Sequence, residues 1–144
     1  MRALAYLKVV TDYSGTPVAR KLGIKEGSSV LVLHQPASFT LNVGPGVKVR
    51  RHSSTQADVV LAFFTQGSAL EDEIVGLGKA ITPSGGLWIA WPKKASKITT
   101  SMTDHVVRDV ALPMGLVDNK VCALDATWTA LRLVWRLSTR GAAT

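Results

Sequence analysis

The chain has 144 residues, 47% of them hydrophobic, and one cysteine, Cys122; that size needs no metal or disulfide staple, and one thiol can neither close an internal disulfide nor build a metal cage. No stretch nears the roughly 20 apolar residues of a membrane span, and Lys8 interrupts the apolar Met1–Val10 with no small-residue cleavage site behind it, so the sequence predicts a cytoplasmic protein without a signal peptide. The net charge of +7 favours polyanions, acidic ligands or acidic partners through long-range attraction.

Thr16-Pro17 opens a short helix, with threonine as cap and proline at the first helical position, and Gly23 closes it. Gly27 leads into Val30-Leu31-Val32-Leu33, a continuous apolar run of the kind a central parallel strand shows because both its faces are covered. Pro36 to Val43 is an irregular or weakly helical link, and Gly44-Pro45-Gly46 a turn. Val47 to Arg51 alternates apolar and basic residues, as a half-exposed edge strand does. Asp58 introduces a second buried strand, Val59 to Phe64. Only six residues, His52 to Ala57, separate these two strands, whereas a parallel crossover usually takes about a dozen or more.

Ser68-Ala69-Leu70-Glu71 reads as a capping box, followed by Leu70, Ile74, Leu77 and Ile81 at helical spacing. Pro83-Ser84-Gly85-Gly86 stops that helix, and Leu87 to Trp91 is the next buried strand, ended by Pro92. After the polar loop Lys93 to Thr100, Ser101 to Asp104 starts another helix with Met102, Val106, Val110 and Met114 inward and Gly115 closing it. Lys120 to Leu124 and Ala130 to Trp135 remain as strands, and the short connection between them fits only an antiparallel hairpin. Strands alternating with helices predict an α/β fold: a mostly parallel sheet of about six strands, helices on both faces, ending in that hairpin. No internal repeat or linker divides the chain, which reads as a single domain over 1–144 with residues 1–12 as an N-terminal extension.

The back half (buried strand, capped helix, Gly-Gly-strand, helix, antiparallel hairpin) resembles the class I methyltransferase fold, which implies a three-layer Rossmann-like sandwich. More specifically, Tyr13-Ser14-Gly15-Thr16-Pro17, Lys21-Leu22-Gly23-Ile24, Gly85 through Ser96, Asp118 through Ala123 and Leu131-Arg132-Leu133-Val134 resemble an uncharacterised family of short bacterial proteins. The resemblance spans Tyr13 to Trp135; Thr129-Ala130 departs from a more usual serine-glycine. It implies a fold but no activity, cofactor or catalytic residue.

A nucleotide cofactor in such a fold needs glycines after the first strand, and a carboxylate after the second for the ribose. Here the first strand runs into His34-Gln35-Pro36-Ala37-Ser38 and the second into Arg50-Arg51-His52, which speaks against adenosylmethionine or NAD in the usual mode. No P-loop and no Gly-x-Ser-x-Gly elbow occurs, His34, His52 and His105 lie in separate elements, and Cys122 reads as a small buried hydrophobe. No cofactor, metal site or catalytic residue is expected.

Ligands of open parallel sheets bind outside the carboxyl ends of the strands. That edge gathers His34, Gln35, Thr65, Gln66, Trp91, Lys93, Lys94 and Ser96, and the hairpin adds Asp125, Thr127 and Trp128. Lysines supply charge, the N-terminus of the Ser68 helix supplies N–H donors and an indole supplies a stacking face, a set suited to a planar anion. Against it stand plainer readings: Lys93-Lys94 as a solvated loop, Trp91 as core, His34 as a strand-end residue. Asp118-Asn119-Lys120, at the other end, is explained by turn formation and self-pairing. Lys48, Arg50, Arg51, Arg132 and Arg136 could follow a nucleic-acid backbone without reading sequence, though no nucleic-acid-binding motif accompanies them and a solvated face explains them as well. The reading is a binding or regulatory module for a small anionic ligand or acidic partner, with homo-oligomerisation, a methyltransferase-like enzyme with a remodelled cofactor site, and a sequence-independent nucleic-acid binder as alternatives.

Overall fold

The computed structural model describes residues 17–52 and 55–137. Its strands are β1 (Ser29–Leu33), β2 (Lys48–Arg50), β3 (Ala57–Phe63), β4 (Ile81–Pro92), β5 (Leu116–Ala123) and β6 (Trp128–Trp135), and its helices α1 (Val18–Lys21), α2 (Gly67–Ala80) and α3 (Asp104–Ala111). The strands form one sheet in the order β2-β1-β3-β4-β6-β5. The first four in that order run parallel; β6 returns antiparallel to β4, and β5 pairs antiparallel with β6. This is the mostly parallel α/β sheet with a closing hairpin that the apolar runs predict. No helix among the described residues is long and apolar enough to cross a membrane.

Side-chain alternation splits the core into two layers. Leu31, Val60, Ala62, Leu87, Ile89 and Leu133 meet Leu70, Ile74 and Leu77 of α2 and Val107 and Ala111 of α3. Val30, Val32, Leu61, Phe63, Trp88 and Ala130 point the other way, toward Leu22, Ile24 and Phe39. β1 and β3 are therefore covered on both faces, which is why they read as continuous apolar runs. Each fully buried Leu or Val contributes about 1.5–3 kcal/mol. Trp88 adds a tie as well as area: its buried indole N–H donates to the Leu22 carbonyl at 3.0 Å, pinning the α1–β1 turn to the sheet.

Several local expectations change. The two long helices share one face; the other carries only the four-residue α1 and the link after β1. The short β2–β3 connection is feasible because β2 is three residues long and pairs only with Ser29–Leu31 at the start of β1. The chain thus has little length to retrace. β4 begins at Ile81 rather than Leu87: Ala57 pairs with Ile81 and Val59 with Gly86, so Pro83 to Gly86 belongs to an irregularity within the strand, not to a turn outside it. A Cβ on Gly85 would lie 2.7 Å from the Asp58 carbonyl oxygen, which explains glycine there.

The capping box at Ser68 is not formed. α2 starts two residues earlier than that box would place it, Gln66 is its N-cap without a side-chain bond, and Gly67 N–H donates to Ser101 Oγ at 2.8 Å. On α3 the cap is Thr103, whose hydroxyl accepts from Val106 N–H at 3.1 Å. Val107 and Ala111 form the buried centre of that helix, with Val106, Val110 and Met114 packed around it. Gly115 closes the segment at φ +91°. Pro17, expected at the first helical position behind a Thr16 cap, is itself the N-cap of α1, without a side-chain bond; Thr16 and the N-terminal extension lie outside the described residues.

Candidate functional site

The topology brings every candidate residue to the carboxyl edge, but in separate groups. Around β3, the Thr65 carbonyl accepts from Thr100 Oγ1 at 2.6 Å and from Ser101 N–H at 3.0 Å. With Gly67 N–H bonded to Ser101, this corner is a structural knot, and the α2 N-terminus has part of its donor set already occupied. Around the hairpin, Lys93 Nζ donates to the Asp125 carbonyl at 2.7 Å, and Lys93 N–H to the Thr127 carbonyl at 2.8 Å. Asp125 Oδ1 accepts from the N–H groups of Thr127 and Trp128, both at 2.8 Å, and Ser96 Oγ donates to the Lys93 carbonyl at 2.7 Å. Lys93, Ser96 and Asp125 thereby clasp the β5–β6 hairpin to the end of β4. Lys94 beside them is exposed.

The two candidate tryptophans lie on opposite faces. Trp91 packs in the helix-side core, whereas Trp128 belongs to the opposite layer. Trp91 pairs with Thr129 across β4 and β6, so Trp128, one residue away, points through the sheet from it. Trp128 packs edge-on against Phe63 (centroids 5.2 Å apart, 87°), and Phe63 against Phe39 at 5.2 Å. This three-ring ladder joins the hairpin to the link after β1. The Trp128 indole N–H is buried without a partner among the described residues.

The group that encloses space is at β1. Val32, His34, Gln35, Pro36, Phe39 and Arg51 line an open cleft of about 380 Å³. His34 sits at φ +59°, a left-handed conformation that a non-glycine residue holds at some energetic cost. Its Nε2 lies 2.9 and 3.0 Å from the two carboxylate oxygens of Glu73 on α2, and its ring packs edge-on to Phe64. Gln35 Nε2 donates to the Phe39 carbonyl at 2.8 Å, while its Oε1 is enclosed without a partner among the described residues.

The neighbouring arginines divide the labour. Arg50 donates to the carbonyls of Thr55 and Gln56 at 3.0 and 3.4 Å and so holds the connection to β3. Arg51, by contrast, has no hydrogen-bond or ion-pair partner among the described residues, and it lines the cleft. Arg132 lies across Gly86, where a Cβ would meet its Nε at 2.5 Å, so two members of the basic stripe serve the fold directly.

Sequence reasoning placed His34 and Gln35 but missed Arg51, Phe39 and Glu73 as their neighbours. Arg51 follows the second strand, the position that flagged it; Phe39 is the one aromatic between Pro36 and Val43; Glu73, 39 residues from His34, carried no signal. At the amino edge a second cleft, about 390 Å³, mixes Lys25, Glu26, Asp58 and Arg132. Asp118 accepts from Arg108 Nε at 3.0 Å, so its partner is on α3 rather than within Asp118-Asn119-Lys120, and that segment is an irregularity inside β5 rather than a turn. No group of three metal-ligating side chains occurs among the described residues, and Cys122 is buried.

The sequence matches no protein-family model, and no curated protein matches it. Solved structures do resemble it. A SAM-dependent methyltransferase from Aquifex aeolicus superposes with a TM-score of 0.59 at 16% identity, over 81% of this chain and 86% of that one. A ribosomal protein L11 methylase from Lactobacillus delbrueckii subsp. bulgaricus gives 0.52 at 10% identity, over 83% and 74%. LepI, solved with SAH and a substrate analogue, gives 0.55 at 10% identity over 84% of this chain but 47% of its own. The chain has the Rossmann-like fold of class I methyltransferases. At these identities the likeness is one of fold.

The residues at the carboxyl edge do not fit adenosylmethionine, the cofactor that fold implies. Where a glycine turn would let the backbone approach a nucleotide, His34 occupies the left-handed position and Pro36 follows. The link from β1 to β2 contains no helix whose N-terminus could face a ligand. At the end of β2 stands the cation Arg51 rather than a carboxylate for ribose hydroxyls. Phe39, buried against Phe63, fills part of the same region.

Proposed function

We propose that this chain is a non-catalytic binding module on a methyltransferase-like scaffold, and that it takes a small anionic ligand in the cleft between β1 and β2. One observation carries the reading: Arg51, without a partner among the described residues, lines a cleft at the edge where ligands of this architecture bind. A guanidinium with five donors matches phosphate or carboxylate oxygens in pairs. His34 and Gln35 form its other wall. Of the other candidates, Lys93, Ser96 and Asp125 are assigned to the hairpin clasp, Thr65 and Gln66 to the corner knot, and Trp91 and Trp128 to packing; Lys94 is left as an outer charge.

Calorimetric titration with inorganic phosphate tests this. Wild type is expected to bind one equivalent, Lys93→Met to bind as wild type does, and Arg51→Gln to lose binding. Retained binding in Arg51→Gln overturns the assignment.

A methyltransferase-like enzyme with a remodelled cofactor site is the second reading, favoured by the SAM-dependent methyltransferases among the fold's neighbours. Stoichiometric binding of adenosylmethionine or its product would decide for it. Kinship with short bacterial proteins of unknown function, a single domain over 1–144 and a cytoplasmic location remain part of the proposal on sequence grounds. An acidic protein partner would meet the same cation, and gel filtration tests the homo-oligomer.

A further inference from the structure

We propose that the cleft selects anions carrying their own O–H donor near the charge, the chemistry shared by sugar phosphates and hydroxy acids; this rests on the anion-binding reading above. The cleft's hydrogen-bonding groups are of two kinds. Arg51 offers only donors, and so takes the anion.

In its neutral form His34 offers an acceptor. A carboxylate cannot donate, and both oxygens of Glu73 lie within 3.0 Å of Nε2. In the neutral ring, Nε2 therefore carries the hydrogen and Nδ1 keeps its lone pair. The imidazole is also held in place, by the left-handed backbone at its root and by the Phe64 ring beside it.

Gln35 offers a second acceptor in the wall. Its orientation is set by chemistry, because turning the amide over would bring Oε1 against the Phe39 carbonyl, two acceptors 2.8 Å apart. Oε1 is thus fixed as an enclosed acceptor with no donor among the described residues. A buried acceptor without a partner is destabilising, so a donor delivered there is worth more than one offered to a solvated group. With the imidazole neutral, a bare anion satisfies Arg51 alone and presents lone pairs to both acceptors. An anion bearing hydroxyls satisfies all three groups, and about 380 Å³ has room for a small sugar phosphate.

Matched probes separate the two claims. Isothermal titration compares ribose 5-phosphate with butyl phosphate, and glycerate with propionate, so that each pair differs in hydroxyls and the two pairs differ in the anion. Wild type is expected to bind the hydroxylated member about tenfold more tightly, the size of one well-made hydrogen bond to a poorly solvated group. Preference confined to one pair identifies which anion Arg51 takes. His34→Asn, which tolerates a left-handed backbone, and Gln35→Met are each expected to lower that preference. Arg51→Gln is expected to weaken every probe. Equal wild-type affinities within both pairs overturn the donor rule and leave the anion site standing. A preference unchanged in both His34→Asn and Gln35→Met overturns it too, and failure of every probe to bind overturns both readings.

Discussion

Phe63 is the middle ring of the ladder that ties the link after β1 to the closing hairpin, and Phe63→Leu removes the ladder while keeping the site apolar. Phe63 is 3% exposed, with Phe39 and Trp128 each 5.2 Å from it by ring centroid. Ring pairs of this kind contribute about 0.5–1.5 kcal/mol each beyond their buried area, so losing two costs about 1–3 kcal/mol. Phe63→Ala adds a cavity and costs about 3–5 kcal/mol. Against a total of about 5–15 kcal/mol, the leucine variant stays folded and measurable. With a urea slope of about 1–3 kcal/mol/M, its unfolding midpoint should fall by about 1 M at unchanged slope. A double-mutant cycle with Trp128→Leu should return a coupling of about 0.5–1.5 kcal/mol. A loss below about 0.5 kcal/mol, or zero coupling, would refute the claim that this ladder holds the carboxyl edge together.

Four further outcomes are expected. Thr103→Ala removes the cap that accepts from Val106 N–H and should cost about 1 kcal/mol, read as a fall of a few degrees in melting temperature. Gly85→Ala should cost about 1–3 kcal/mol by chemical denaturation, because the added Cβ meets the Asp58 carbonyl and the Thr82 hydroxyl, both at 2.7 Å. The hydrogen bond from Arg108 holds the Asp104 carboxyl below its ordinary range. A lowered folded value contributes stability above the ordinary aspartate range that is lost as pH falls through the lowered one. Wild type should therefore exceed Arg108→Gln in denaturant midpoint at neutral pH, and the two should converge in acid. Finally, Lys93→Met should loosen the hairpin, seen as faster amide exchange at Asp125 to Trp128, whereas Arg51→Gln should leave those rates unchanged.

What the sequence made legible follows from burial pattern. Val30 to Leu33 and Val59 to Phe64 are apolar on both faces, and that continuity alone identified the central parallel strands. The hairpin was legible from connection length. Non-local partners and register were not. Ser101 caps α2 from 34 residues away, so the local Ser68–Glu71 pattern suggested the wrong first turn. Pro83-Ser84-Gly85-Gly86 has the composition of a turn, yet pairing with β3 draws it into β4. Trp91 and Trp128 both fall at the carboxyl edge in chain order, but which face each takes depends on the β4–β6 register. At the site, the position of His34 and Gln35 was readable, whereas the Glu73 contact and the difference between Arg50 and Arg51 are products of tertiary packing.

The central claim concerns where an anion binds on this scaffold, and an amide-resolved NMR titration tests it most directly. Phosphate should shift resonances of His34, Gln35 and Arg51 in a saturable, one-site manner, with adenosylmethionine leaving the same resonances unmoved. Shifts from adenosylmethionine at the ends of β1 and β3, or phosphate shifts confined to Lys93, Lys94 and the hairpin, would contradict the account.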